Sequence, residues 1–160
     1  MELELFITSN LNVLKVGGAV SGRCSLLSKR FFNSLVISGI DRNVVFMSMY
    51  LKTGLTEPEF KSIYYHEIGH IVKKHDVINT SISQRQKEIE ADLYSAKIVG
   101  PSVLLSALKK IPIIIKECES LRIKYQKSRS LEQYNKDIDI FLSRVNSEMQ
   151  YRYEAINKML

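Results

Sequence analysis

His66-Glu67-Ile68-Gly69-His70 is the stretch on which the reading of this chain turns. It has the form H-E-x-x-H, and it falls where a helix is expected. On a helix, residues four apart stand one turn above each other, with Cβ atoms about 5–6 Å apart. Two imidazoles so placed can reach one ion at about 2.0–2.1 Å, the usual zinc–nitrogen distance. Glu67 follows the first histidine, so its carboxylate leans over the same ion without binding it. From there it can hold and deprotonate a water. The chain has 3 histidines in all, which makes a chance arrangement of two of them a poor explanation. The bland alternative is an amphipathic helix with two incidental histidines. The flanking sequence argues against it. Thr56-Glu57-Pro58-Glu59 is a helix start, with Thr56 as cap, Pro58 in the first turn and Glu59 closing a capping box. Phe60, Ile63, Tyr64, Glu67, His70 and Ile71 then follow at helical spacing, and the helix should end near His75.

Two histidines do not close a zinc site, since a catalytic zinc usually has three protein ligands. His75 lies five residues beyond His70 and is rotated off the metal face. The next helix, about Ser83 to Val99, offers Glu88-Ile89-Glu90-Ala91-Asp92. Glu88 and Asp92 are one turn apart and share a face, while Glu90 points roughly to the other side. Small Ala91 and Ala96 allow close packing against a neighbouring helix. Glu88 is therefore the expected third ligand, and Asp92 the carboxylate that reaches the distal nitrogen of a ligand histidine. Such a contact fixes the histidine's tautomer and raises its basicity. An acidic, solvated helical turn is the alternative, weakened by the H-E-x-x-H helix before it.

His-Glu-Ile-Gly-His followed by Glu-x-x-Ala-Asp-x-x-x-Ala resembles the gluzincin metallopeptidases. More narrowly it is similar to the HtpX/Ste24-like family and to the small soluble minigluzincins. In those, the Glu of Glu-x-x-Ala-Asp is the third zinc ligand, a position held here by Glu88. The stretch from Gly100-Pro101-Ser102 to Lys109-Lys110 also looks like that family's short helix after the ligand helix. The resemblance covers roughly residues 44–110. The chain departs from the membrane family in showing no transmembrane helix, so membrane quality control is not carried over. The short connection from His70 to Glu88 also resembles the ImmA/IrrE-like phage and stress proteases. Those usually end the ligand helix in a Leu-Leu-Met-Pro-like sequence, where this chain has Ile98-Val99-Gly100-Pro101. The set of His66, His70 and Glu88 leads us to expect one zinc ion per chain, and a protein or peptide substrate is expected.

Composition agrees with an ordinary globular protein: 160 residues, 45% hydrophobic and 25% charged, enough to bury a core. Cys24 and Cys118 are far apart and suggest neither a metal pair nor a disulfide framework. The N-terminus has no basic segment leading into an apolar run, and no run approaches the ~20 residues that span a bilayer. A cytoplasmic location is therefore expected. Of the net charge of +6, +4 falls in residues 101–160, where 11 basic side chains meet 7 acidic ones. Lys109, Lys110, Arg122, Lys124, Lys127 and Arg129 could meet nucleic acid or acidic protein. Aromatic residues do not interleave with them in the way single-strand binders require, so a solvated helix surface is preferred to a nucleic-acid interface.

The first part of the chain reads as strands. Leu3 to Thr8, Val13 to Val16, Ser34 to Ile40 and Val44 to Tyr50 are candidates, the last two forming a hairpin across Asp41-Arg42-Asn43. Residues 19–33 are ambiguous. Beyond the two metal-site helices, Ser102 to Lys110 reads as a third helix and Pro112 as the opening of a fourth, with Ile114, Ile115, Cys118, Leu121 and Tyr125 on one face. A last helix runs from Leu131 to about Met159 and buries Leu131, Tyr134, Ile138, Phe141 or Leu142, Val145 and Met149. The expected fold class is α+β and zincin-like. A small N-terminal antiparallel sheet would precede the active-site helix, the ligand helix and C-terminal helices. All would lie in one domain over residues 1–160: about 1–55 mainly strands, 56–100 the metal-site helices, 101–160 helical.

The expected chemistry is zinc-dependent peptide hydrolysis, with His66, His70 and Glu88 as ligands and Glu67 as general base. Tyr94, Tyr153 and Arg152 are candidates for the donor that stabilises a developing oxyanion. Strand Ser34 to Ile40 is the candidate edge for substrate pairing. A zinc-bearing regulatory module with little activity and a helical interaction protein are the competing readings. The complete H-E-x-x-H argues against the first of these, since a structural site has no use for Glu67, and metal content separates the second from the others.

Overall fold

The computed structural model describes residues 2–8, 34–38, 42–75, 82–125 and 131–160. Strands β1 (Glu2–Thr8), β2 (Ser34–Ser38) and β3 (Arg42–Ser48) precede five helices. These are α1 (Met49–Gly54), α2 (Glu57–Val72), α3 (Gln84–Val99), α4 (Pro101–Tyr125) and α5 (Leu131–Asn157). The expected strand Val13 to Val16, the ambiguous residues 19–33 and the polar break at Lys127 to Ser130 lie outside the described residues. So do the side chains of most apolar positions expected on the inner face of α5.

The expected fold class needs correction. Helices make up most of the described residues, and the N-terminal part does not form an antiparallel sheet. The three strands take the order β1-β3-β2. β2 pairs antiparallel with β3, joining Ser38 to Asn43, whereas β1 runs parallel to β3, with Glu2 opposite Arg42 and Thr8 opposite Ser48. A parallel pair needs a connection of a dozen residues or more, and Thr8 and Arg42 are far enough apart in the sequence for one. Strand-like composition could not reveal this, because it carries no direction. The last expected strand also stops early: Ser48 ends β3, and Met49 begins α1, which buries Leu51. β3 is central and sends Val45 and Met47 into the core, both 0% exposed and two residues apart as the pleat requires. β2 is an edge strand and packs against α2.

One core joins these elements. Leu51, Phe60, Ile63, Ile71 and Ala96 meet Leu104, Leu108, Ile111 and Ile114 of α4 and Met149 and Ile156 of α5. α4 supplies the largest share, and this accounts for a second correction. Pro112 does not open a new helix; it lies inside α4, which is continuous from Pro101 to Tyr125. Proline within a helix costs about 3 kcal/mol, partly through a lost hydrogen bond to the carbonyl four residues back. Burying one leucine or isoleucine returns about 1.5–3 kcal/mol, and Leu104, Leu108, Ile111 and Ile114 share the buried face. Packing outweighs the break. The carbonyl that Pro112 cannot serve is that of Leu108, and the Tyr153 hydroxyl from α5 donates to it at 3.4 Å.

The ends of the central helices are set locally. Glu59 accepts at 2.8 Å from the Thr56 backbone N–H and at 2.9 Å from its hydroxyl, which fixes the start of α2. The same carboxylate also takes the Ser106 hydroxyl at 2.6 Å and Lys110 Nζ at 2.7 Å. Burial alone would raise its pKa. Lys110, Ser106 and Thr56 together outweigh that and hold Glu59 down at about 2. Ser83 caps α3 by accepting from the Gln86 N–H at 3.2 Å, and Gly100 ends it at φ 92°, a left-handed value that favours glycine.

Candidate metal centre

Among the described residues, α2 and α3 make the most extensive helix–helix contact, and Gly69 permits their close approach. A Cβ on Gly69 would sit 2.9 Å from Ala91 Cα, closer than real contacts allow, and 3.0 Å from its carbonyl oxygen, tighter than nearly all of them. The absent side chain lets the backbone of α3 press against α2 at the level of the histidines. This approach carries Glu88 to His66 and His70. Their Nε2 atoms are 3.1 Å apart, and the Glu88 carboxylate is 3.4 Å from the first and 3.5 Å from the second. One ligand atom from each of the three residues lies within 4.8 Å of the others, so the group could hold a metal ion. Two imidazole nitrogens and one carboxylate oxygen are a donor set that suits zinc.

Electrostatics favour a charged, preorganised cluster. Asp92 is 0% exposed. It accepts from His66 Nδ1 at 2.8 Å and from Arg152 Nε and Nη2 at 2.6 and 2.7 Å. Burial opposes its charge, but the Arg152 guanidinium and then His66 outweigh that and hold Asp92 down at about 2. His66 is likewise penalised by burial, yet Asp92 and Glu88 raise it to about 9. His70 goes the other way: burial and then the charge of His66 push it down to about 4. Glu88 resists its partial burial through His66 and Arg152 and is lowered to about 2. Burial opposes the charge of Arg152, but Asp92, then Glu88 and the buried Glu67, outweigh that and raise its pKa.

Each residue singled out in the sequence can now be located. His66, His70 and Glu88 come together, and Asp92 touches His66 and not the ligand face. Glu90 does point away from the three, onto His75. Of the oxyanion candidates, Tyr153 spends its hydroxyl on the Leu108 carbonyl, and Tyr94 packs at the helix crossing beside Gly69. Arg152 commits Nε and Nη2 to Asp92, while Nη1 lies 3.7 Å from Glu88. Its role as the clamp on Asp92 escaped the sequence reading. No local pattern links two residues 60 positions apart. The role of Gly69 was legible in principle, because a glycine in a helix that faces small Ala91 signals a close crossing. His75 was placed off the metal face, but it contacts His70.

No helix among the described residues is long and apolar enough to cross a membrane. Neither a curated protein nor a solved structure gives a match to the chain. The family model of Peptidase family M48 does match, over residues 36–91, which take in β3, α1, α2 and the first half of α3. This agrees with the gluzincin resemblance and lends no support to the ImmA/IrrE-like one. The segment that carries both histidines, Glu67 and Glu88 is thus the part of the chain that is similar to Peptidase family M48.

Proposed function

We propose that this protein is a zinc-dependent metalloendopeptidase in which His66, His70 and Glu88 hold the ion and Glu67 is the general base. The observation that carries the reading is the meeting of one Nε2 from each histidine and the Glu88 carboxylate within 4.8 Å. When bound, zinc supplies Lewis-acid polarisation of the scissile carbonyl and acidifies the attacking water. The chain's own residues do the rest. His66 donates Nδ1–H to Asp92, which leaves its Nε2 lone pair for the ion. Arg152 neutralises Asp92, so that carboxylate can stay buried and ionised beside the site. Glu67 takes a proton from the attacking water and returns it to the leaving amine. A binding module would need no buried carboxylate next to the first ligand, and this favours peptide hydrolysis over a regulatory metal site.

The test is Glu67→Gln. The substitution is nearly isosteric but cannot accept the proton. Zinc content by elemental analysis should stay at one ion per chain. Cleavage of a peptide library, followed by mass spectrometry, should fall by about 100-fold or more. Cleavage at the parent rate would remove Glu67 from the mechanism. Zinc-free parent protein after purification without chelator would remove the metal.

A further inference from the structure

His75 returns to the metal site through a turn, not along the helix. α2 stops at Val72. Lys74 N–H then donates to the Ile71 carbonyl and His75 N–H to the His70 carbonyl, both at 3.0 Å. These two bonds are the paired closure of a Schellman motif, whose left-handed position is Lys74 at φ 55°. Lys87 of α3 secures the turn by donating to the His75 carbonyl at 2.8 Å. The motif sets residue 75 over residue 70. The His75 ring is buried, its Nδ1 is 2.9 Å from His70 Nδ1, and its Nε2 is 3.2 Å from Glu90 Oε2.

Hydrogen placement follows from counting donors. A neutral imidazole has one N–H and one lone pair, so only one Nδ1 of the facing pair can donate. His70 Nε2 faces His66 and Glu88, where a ligand needs its lone pair. The hydrogen of His70 therefore sits on Nδ1 and is given to His75 Nδ1. That choice puts the hydrogen of His75 on Nε2, from which it is given to Glu90.

We propose that His75 and Glu90 are a positioning pair for the second metal ligand: they hold His70 in the Nδ1–H tautomer with Nε2 open to the ion. The inference rests on the zinc reading above and extends it. Asp92 anchors Nδ1 of His66 directly, and Glu90, two residues earlier, anchors Nδ1 of His70 through one intervening ring. Five residues of α3 then carry three tasks: Glu88 binds, and Glu90 and Asp92 orient the two histidines.

The experiment compares zinc affinity of the parent, His75→Leu, His75→Asn and Glu90→Ala by competition with a chromophoric chelator. Circular dichroism and cooperative unfolding check that each is folded. Loss of an outer partner of a ligand histidine weakens metal binding about 10–100-fold, and His75→Leu should fall in that range. His75→Asn should recover much of the loss, since its amide oxygen stands near the Nδ1 position and can accept. Glu90→Ala should lie between the parent and His75→Leu. Long-range 15N–1H correlation spectra of the zinc-free parent should show His70 protonated at Nδ1, a signature that a merely structural His75 would leave unexplained. A folded His75→Leu with parental zinc affinity overturns the proposal, and so does a His70 protonated at Nε2 in the zinc-free parent. A parent without zinc affinity refutes the metal reading instead, and the tautomer spectrum then decides the hydrogen-bond chain by itself.

Discussion

Replacing Gly69 with alanine adds one methyl group at the crossing of α2 and α3, and its consequences can be worked from three distances. The new Cβ would lie 2.9 Å from Ala91 Cα, 3.0 Å from the Ala91 carbonyl oxygen and 3.2 Å from Tyr94 Cβ. Two of these atoms are backbone, so no side chain can swing away. Ordinary carbon contacts are about 3.5–4.0 Å, which requires the helices to part by roughly 0.5–1 Å. Alanine gains about 1 kcal/mol over glycine within a helix, whereas overpacking costs about 1–3 kcal/mol. The net loss of stability for the metal-free protein is thus about 0–2 kcal/mol, a small effect. The metal site should respond far more. Ligand distances tolerate only about 0.2 Å, and Glu88 rides on the displaced helix. Gly69→Ala should therefore lower zinc affinity by at least about tenfold, comparable to losing an outer hydrogen-bond partner, though residue 69 touches no ligand atom. Chelator competition measures the affinity, and urea unfolding in excess chelator measures the metal-free stability. Parental zinc affinity in a folded Gly69→Ala protein would refute the idea that this crossing sets the position of Glu88.

Three further outcomes follow from other contacts. Asp92→Ala should weaken zinc binding about 10–100-fold and, by leaving Arg152 buried without its partner, cost about 3–5 kcal/mol in denaturant unfolding; Asp92→Asn should be milder in both. Glu59 is held at about 2 against an ordinary value of 4.5, so its contribution is present above pH 4.5 and is lost as pH falls towards 2. Unfolding at pH 7 and pH 3 should then show a smaller acid loss for Glu59→Gln than for the parent, and equal losses would show that the Lys110 cluster contributes nothing. Lys74→Gly relieves a left-handed residue and should raise stability by about 0.5–1 kcal/mol, read as an increase in Tm; a decrease would mean that the lysine side chain contributes more than the strain it bears.

What the sequence disclosed about this site depended on how far each relation reaches along the chain. His66 and His70 lie one helical turn apart, so their shared face could be read directly. Glu88 and Asp92 share a face for the same reason, and small Ala91 hinted that α3 comes close. The failures have physical causes. His75 was projected along an ideal helix, where five residues rotate it roughly 140° from His70. The chain leaves the helix at Val72, and the left-handed Lys74 folds it back, which no periodicity anticipates. Pro112 looked like a helix start because local propensity was not weighed against a buried face made of Leu104, Leu108 and Ile111. The strands carried no record of direction, so the parallel pairing of β1 with β3 was missed and helices proved to dominate the described residues.

The reach of Arg152 has a consequence for how the protein is made. Its guanidinium meets Asp92 across 60 residues and lies 3.4 Å from His66 across 86. A ribosome releases the H-E-x-x-H helix and the ligand helix long before residue 152. During that interval Asp92 lacks the cation that makes its burial tolerable, and the α2–α3 crossing cannot close around it at full strength. Contacts this distant in sequence form late, because the intervening loop must be closed first. The centre is therefore incomplete until residue 152 has been made, so a growing chain carries the motif without yet carrying the Arg152–Asp92 pair beside it.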